Sequence, residues 1–133
     1  MPFVNVKVVK DQVNAEMKKK IIRNLTDLIV EIMNRERSLT NIVIDEIDYT
    51  SWSIGGKEIN AEQDFVSFVN IKVSKGTTNA EEMGSILRET KKMMAGIMGN
   101  QIQENYCIID ELNPSAWGFD GISMKERSNL ESI

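Results

Sequence analysis

Apolar and polar residues alternate in two stretches of the chain, and each stretch is followed by a segment with helical periodicity. Residues 3–9 read FVNVKVV and residues 66–73 read VSFVNIKV, with the two-residue period of a half-buried β-strand. The segment after the first stretch has apolar residues at steps of three and four positions: Met17, Ile21, Leu25, Leu28 and Ile32. The segment after the second stretch has its apolar residues at Ile86, Met93 or Met94, and Ile97. These spacings predict two amphipathic helices, the second with methionines that fill the core.

Residues at the ends of these segments support the prediction of strands and helices. Asn14 and Asn79 each stand where a helix N-cap is expected, and Glu82 follows Asn79 at the spacing of a capping box. Beyond the helices come two further strand-like segments, NIVIDEI and YCIIDEL. Each is followed by a turn-rich stretch, ending in IGGKEI or FDGISM, that predicts a short hairpin.

The chain is a tandem repeat with an offset of 65 positions. Without a gap from Phe3 to Gly56, the two copies share 18 identities over 54 positions. The identities include Asn5 with Asn70, and Trp52 with Trp117. The agreement indicates a duplicated unit rather than chance similarity.

Each repeat reads β–α–β, so the predicted fold class is α/β (α+β), with two tandem repeats in a single domain over residues 1–133. Repeats 2–60 and 67–125 would form one four-stranded sheet with two helices on one face, and residues 126–133 would be a polar tail. The other sheet face would be uncovered and apolar. Such a face predicts association into a closed ring of a few copies.

Composition excludes several kinds of site. The chain has 133 residues, a net charge of −4 and no strongly basic face, so nucleic acid is not an expected partner. It has no histidine, which removes His-based triads and most zinc sites. Its one cysteine, Cys107, lies in a strand-like segment and is expected to be a buried structural thiol. Apolar runs are too short to cross a membrane and no signal segment opens the chain, so a cytoplasmic location is expected.

Pro2 gives the first repeat a chemical group that the second lacks. Methionine before a small residue such as proline is commonly removed, which would leave Pro2 as a free secondary amine. The pKa of that amine in water lies above the value of about 8 for an ordinary α-amino group, and burial between apolar walls lowers it. The result would be a base poised near neutral pH. Ser67 stands at the matching position, where its nitrogen is an internal amide without basicity.

These residues together resemble the tautomerase superfamily, specifically the 4-oxalocrotonate tautomerase group. The resemblance is carried by PFVNVKV, a helix opened by NAE, the strand IVIDEI and the segment WSIGG. It covers residues 2 to about 59 well and, through the offset, about 67 to 124 more weakly. Members of the family use an N-terminal proline as general base in keto–enol tautomerisation, and they assemble as hexamers of short chains or trimers of fused ones.

The resemblance therefore implies an isomerase that acts on a small enolisable 2-keto or 2-hydroxy acid, with Pro2 as general base. It implies a homotrimer, no metal and no organic cofactor. Trp52 matches an aromatic residue that lines the family's active site. Because those sites form between adjacent units, Trp117 is the candidate to face Pro2, with Trp52 then facing Ser67; the sequence leaves open which tryptophan does so.

The two arginines that bind substrate in the family have no match here. Gln12 or Val13 stands near the first position and Asn41 near the second. The residues that would orient the substrate instead are Asn41, Tyr106 and Lys10, with Lys75 and Arg37 as further nearby cations. A dicarboxylate is held best by guanidinium groups, so we expect the reaction class to persist with a different substrate.

The sequence is also compatible with two other functions. Fused relatives include dehalogenases and a decarboxylase that keep the proline protonated and add acidic or tyrosine groups, so Tyr49 and Tyr106 would suit a hydratase, dehalogenase or decarboxylase. Duplicated β–α–β units also serve as non-catalytic binding or assembly modules. The acidic residues Asp45 and Glu46 point to opposite faces of a strand, so strand-end solvation or pairing between subunits is expected of them rather than a metal site.

Overall fold

The computed structural model describes residues 1–99 and 102–131, and each repeat forms a strand, a helix, a second strand and a hairpin. The elements in chain order are β1 (Phe3–Val9), α1 (Ala15–Met33), β2 (Asn41–Ile47), β3 (Ser53–Ile54), β4 (Lys57–Glu58), β5 (Phe65–Ser74), α2 (Ala80–Met98), β6 (Ile102–Leu112), β7 (Gly118–Phe119), β8 (Ile122–Ser123) and α3 (Met124–Glu131). Short 3₁₀ turns over Arg37–Leu39 and Tyr49–Ser51 flank β2.

Four strands form one mixed sheet in the order β2-β1-β5-β6. β1 is parallel to β2 and β5 is parallel to β6, as crossover helices require, while β1 and β5 join the two repeats antiparallel. The helices α1 and α2 pack on one face of this sheet. The predicted fold class is therefore confirmed.

The core lies between the helices and the inward positions of the central strands. Val4, Val6 and Val8 alternate along β1, and all three are fully buried. The fully or nearly fully buried helix positions are Ile21, Leu25, Ile29 and Met33 on α1, and Ile86, Thr90, Met94 and Met98 on α2. Methionine fills core space as the sequence indicated.

The centre of the apolar stripe on α1 differs from its prediction. Leu28 and Ile32 are only partly buried, whereas Ile29 and Met33 are buried. A strict four-residue step from Ile21 lies directly over the sheet, and Leu28 lies at its margin. On α2, Met94 rather than Met93 takes the buried position.

The predicted caps and hairpins are present. Asn14 Oδ1 accepts a hydrogen bond from Met17 N at 2.9 Å, and Asn79 with Glu82 forms a reciprocal capping box. In the first hairpin Gly55 and Gly56 both have positive φ, the geometry that a two-residue turn between antiparallel strands demands. Of the segment expected as a polar tail, residues 126–131 belong to α3, and residues 132–133 lie outside the described part of the chain.

The uncovered sheet face is not uniformly apolar, which corrects the expectation from sequence. Its centre holds two equivalent polar clusters, Asn5–Lys7–Asp45 and Asn70–Lys72–Asp110, each joined by side-chain hydrogen bonds. Around them lie exposed apolar side chains: Phe3, Val43, Tyr106 and Ile108. Glu46 points to the helix side, where it pairs with Lys18 at 3.4 Å, so Asp45 and Glu46 lie on opposite faces. Across the residues that the structure describes, no helix is long and apolar enough to cross a membrane.

Candidate active site

The pairing of β1 with β5 decides which parts of the second repeat surround Pro2. Because the two strands are antiparallel, the start of β1 lies beside the end of β5, with Phe3 opposite Lys72. β6 runs parallel to β5 and ends at Leu112, so the loop and hairpin that follow it also reach the start of β1. Pro2 is buried at this point, and its carbonyl oxygen accepts a hydrogen bond from Asn41 N at 3.1 Å.

A cavity of about 490 Å³ opens at Pro2. Its lining comes from the chain start, the segment before β2, and the second repeat: Met1, Pro2, Phe3, Ser38, Leu39, Asn41, Lys72, Leu112, Ala116, Trp117, Gly118, Phe119 and Met124. Most of these side chains are apolar. Such walls disfavour a charged amine, because they replace water that would solvate it.

The aromatic wall of this cavity is held by α3. The carbonyl oxygen of Trp117 accepts a hydrogen bond from Met124 N at 2.8 Å. The Arg127 guanidinium lies 4.9 Å from the centre of the Phe119 ring, and its Nη2 donates to the Phe119 carbonyl oxygen at 2.7 Å. These contacts join α3 to the hairpin β7–β8, which lines the same cavity as the start of β1.

Lys72 brings a positive charge to the same cavity. Its Nζ donates to Asp110 Oδ2 at 2.8 Å, and Asn70 Nδ2 donates to the same oxygen at 2.8 Å. The hydrogen bond from Lys72 and then that from Asn70 hold the pKa of Asp110 below its usual value. The pair is about two-fifths exposed, so it is open to a competing ligand.

A second cavity of about 490 Å³ repeats this arrangement at the other end of the central strands. It is lined by Lys7, Ile47, Ser51, Trp52, Ser53 and Phe68, each of which lies 65 positions from a residue that lines the first cavity. No chain start is available there. Ser67 is fully buried within β5, and its hydroxyl accepts a hydrogen bond from Asn105.

Of the residues predicted around the site, Pro2, Asn41 and Trp117 line one cavity, whereas Trp52 lines the other. Tyr106 pairs with Phe68 in the sheet and is 62% exposed, towards the opposite end of β5 from Lys72. Lys10 follows the far end of β1, about 25 Å from Pro2 at the usual rise per residue. Within one chain the structure therefore does not bring Tyr106 or Lys10 to Pro2.

The remaining candidates have structural partners. Gln12 is buried, and its Nε2 donates to the carbonyl oxygens of Ala61 and Asp64 in the segment that joins the repeats. Val13 is part of the core. Arg37 forms an ion pair with Asp27. None of these three residues is in the lining of the Pro2 cavity.

Lys72, Phe119 and Met124 line the Pro2 cavity without having been predicted there. A signal for Lys72 existed, because alternation along VSFVNIKV places it on the uncovered face together with Asn70. Its proximity to Pro2 depends on the antiparallel pairing of β1 and β5, which periodicity within a single repeat does not encode.

The first repeat is similar in sequence to known proteins. Residues 2–62 match the family model described as Tautomerase enzyme. A probable tautomerase K2 of Dickeya dadantii (strain 3937) is 41% identical over 59 residues, which cover 44% of this chain and 88% of that protein. A probable tautomerase of Helicobacter pylori (strain J99 / ATCC 700824) is 32% identical over 62 residues, covering 45% and 91%. The chain belongs to the tautomerase family, and the predicted resemblance to the tautomerase superfamily is confirmed. The expectation of an enzyme of the isomerase class is confirmed at the level of the family.

Solved structures extend the likeness to the whole duplicated fold. The structure of Pt0534 inactivated by 2-oxo-3-pentynoate has a TM-score of 0.82 at 15% identity, covering 92% of this chain and 96% of that one. A symmetric trimer of wild-type fused 4-OT, designated Q0, has a TM-score of 0.80 at 14% identity, covering 94% and 98%. At these identities the comparison establishes the fold of a fused tandem tautomerase.

Proposed function

We propose that the protein is a keto–enol tautomerase, with Pro2 as general base after removal of Met1, acting on a small enolisable 2-keto acid. The observation that carries the proposal is that Pro2 and Trp117 line one cavity, while the matching Ser67 is enclosed in a strand. Family membership of the first repeat supports the same reaction class.

The cavity supports base chemistry because of its composition. A secondary amine among apolar side chains such as Leu39, Leu112 and Trp117 is poorly solvated when charged, so its pKa falls towards neutrality. With Met1 attached, the Pro2 nitrogen is a tertiary amide and cannot accept a proton. Removal of Met1, which itself lines the cavity, would both free the amine and widen its access.

The reaction needs one proton carrier and no external reagent. The neutral Pro2 nitrogen takes the proton from the enol hydroxyl, the oxygen becomes a carbonyl, and the electron pair of the C=C bond moves to the α-carbon. The protonated amine then returns its proton to that carbon, which regenerates the base. Asn41, in the same cavity, supplies an amide that can donate a hydrogen bond to the substrate oxygen.

The proposed assembly is a homotrimer. Fused 4-OT trimers share this fold, and the apolar side chains around the edge of the uncovered sheet face, including Val43 and Ile108, would be covered by neighbouring copies. Sedimentation velocity on the purified chain measures this directly, and a monomer at micromolar concentration would contradict it. The cytoplasmic location stays a prediction.

The test begins with intact-mass spectrometry, which reports whether Met1 is removed. Ketonisation of phenylenolpyruvate and 2-hydroxymuconate is then followed in the wild type, in Pro2→Ala and in the matched control Ser67→Ala. We expect Pro2→Ala to lose roughly 100-fold or more in kcat/KM, as loss of a general base does, and Ser67→Ala to keep it.

The pH profile separates base catalysis from the alternatives. Because the protonated amine cannot accept a proton, kcat/KM for ketonisation should fall as pH drops through the pKa of Pro2. Equal rates in the wild type and Pro2→Ala, or retention of Met1, would support a non-catalytic module. Halide release from a haloacrylate, with a rate that increases as the amine becomes protonated, would support the dehalogenase alternative.

A further inference from the structure

Lys72 places an ammonium group next to the proposed base. Lys72 lies opposite Phe3 in the antiparallel pairing, and Phe3 directly follows Pro2. Paired Cα atoms in such strands are about 5 Å apart, so the Lys72 side chain extends over the uncovered face close to the start of β1. It lines the cavity together with Pro2, Asn41 and Trp117.

The Lys72 ammonium has donors to spare. An ammonium carries three N–H donors, and Asp110 Oδ2 accepts one of them at 2.8 Å. That oxygen also accepts a hydrogen bond from Asn70, so Asp110 keeps a partner if Lys72 turns to a ligand. Because the ion pair is about two-fifths exposed, it contributes little net stability and its partial release costs little.

The rest of the lining is suited to an apolar body. Among the side chains of the described residues that line this cavity, the one with a positive charge is that of Lys72. The side chains that form the apolar walls are Phe3, Leu39, Leu112, Trp117, Phe119 and Met124. One cation and a largely apolar wall match a ligand with one carboxylate and one apolar group rather than a ligand with a carboxylate at each end.

We propose that Lys72 binds the carboxylate of the substrate, and that the substrate is a monocarboxylate 2-keto acid with an apolar, preferably aromatic, side chain. The proposal rests on the proposed function of Pro2 in this cavity. With the carboxylate at Lys72, the enol group one bond away faces Pro2, and the apolar group extends towards Trp117 and Phe119. Lys72 then orients the reacting atoms as well as holding the ligand.

The duplicated fold provides a matched control. Lys7 has hydrogen-bond partners equivalent to those of Lys72: its Nζ donates to Asp45 Oδ2 at 3.1 Å, and Asn5 donates to the same oxygen at 2.9 Å. Lys7 lines the second cavity with Trp52, where no terminal amine is available. Removing the charge from Lys7 therefore perturbs the sheet face equally, without touching the proposed substrate.

The experiment compares Lys72→Gln, Lys72→Arg and Lys7→Gln with the wild type on three substrates: phenylenolpyruvate, its neutral methyl ester and the dicarboxylate 2-hydroxymuconate. We expect Lys72→Gln to lower kcat/KM for phenylenolpyruvate roughly 10- to 100-fold, mainly through KM, as loss of a charged hydrogen bond does. Lys72→Arg should restore much of the loss. For the methyl ester, kcat/KM should be the same in Lys72→Gln and in the wild type. Lys7→Gln should match the wild type on all three substrates. The wild type should have a higher kcat/KM for phenylenolpyruvate than for 2-hydroxymuconate.

Equal losses in Lys72→Gln and Lys7→Gln, or an equal loss on the ester, would assign Lys72 a structural role and overturn the proposal. A preference for 2-hydroxymuconate would overturn the substrate class. Whether Pro2 is the base is tested separately, by comparing kcat/KM of Pro2→Ala with that of the wild type. If turnover is absent altogether, quenching of tryptophan fluorescence by benzoylformate, which cannot enolise, still tests the carboxylate contact: Lys72→Gln should weaken it at least 10-fold, and unchanged binding overturns the proposal.

Discussion

Asn5 lies directly opposite Asn70 where β1 pairs antiparallel with β5. The two residues are 65 positions apart, which is the repeat offset, so the pair marks a local two-fold axis that relates one repeat to the other. Each asparagine also donates to the equivalent aspartate, Asp45 or Asp110. The two cavities are therefore symmetry-related, and their main chemical difference is that one contains the start of the chain.

The first prediction uses this symmetry, because the two tryptophans of the chain lie in different cavities. Trp52→Phe leaves Trp117 as the fluorophore, and Trp117→Phe leaves Trp52. The Pro2 cavity has walls from three parts of the chain and can cover more of a ligand than the six residues of the second cavity. Benzoylformate should therefore quench Trp117 at a concentration at least about 10-fold lower than Trp52. Equal quenching of both would show that the second cavity is an equivalent binding site.

Local sequence signals predicted the parts of the fold that depend on neighbouring residues. The alternation in β1 and the caps at Asn14 and Asn79 are confirmed, because strand periodicity and N-capping act over a few positions. α3 was missed because MKERSNLE has no apolar stripe. It is held instead by contacts to the loop after β6, such as Lys125 N to the Pro114 carbonyl oxygen.

Features that depend on pairing between repeats could not be predicted in the same way. β6 begins at Ile102, four residues before the strand segment that the sequence predicted. The extra residues pair with the start of β5, which begins at Phe65 and extends further than the equivalent end of β1. The position of Lys72 beside Phe3 has the same origin. The candidate site at Pro2 could therefore be proposed from the sequence, while the position of Lys72 in the lining of its cavity required the topology.

The second prediction concerns the helix caps. Asn79→Ala removes the acceptor for Glu82 N at 2.8 Å and disrupts the capping box, so it should lower the free energy of unfolding by about 1–2 kcal/mol. Asn14→Ala should cost less, about 1 kcal/mol, because its cap is a single hydrogen bond to Met17 N. Urea titration measures both. Asn79→Asp keeps the acceptor and serves as the control, and an equal loss in Asn79→Asp would exclude capping as the cause.

The third prediction concerns the pH dependence of stability. Burial raises the pKa of the Cys107 thiol to about 11. In the unfolded chain the thiol ionises at lower pH, so between the two pKa values unfolding releases a proton and stability falls as pH rises. At pH 10 the wild type should lose roughly 1–2 kcal/mol more, relative to pH 7.5, than Cys107→Ala does. Parallel pH curves for the two proteins would contradict this assignment.

The fourth prediction concerns the wall that faces Pro2. Arg127 contacts the Phe119 ring and carbonyl oxygen, and Phe119 is 50% exposed, so without Arg127 little else restrains that side of the cavity. Arg127→Met should lower kcat/KM for phenylenolpyruvate about 3- to 10-fold. This is less than the full value of a cation–π contact and a hydrogen bond, because Arg127 acts on the wall of the cavity and not on the substrate itself.

Lys125→Met is the matched control for Arg127→Met, because it removes one positive charge from the same helix. The hydrogen bond from Lys125 to the loop comes from its backbone N–H, which the substitution keeps. Lys125→Met should leave kcat/KM unchanged. Near-ultraviolet circular dichroism, which reports the surroundings of Trp117, should change in Arg127→Met alone. If both variants lose activity equally, the effect comes from the net charge near the cavity, and Arg127 does not act by positioning Phe119.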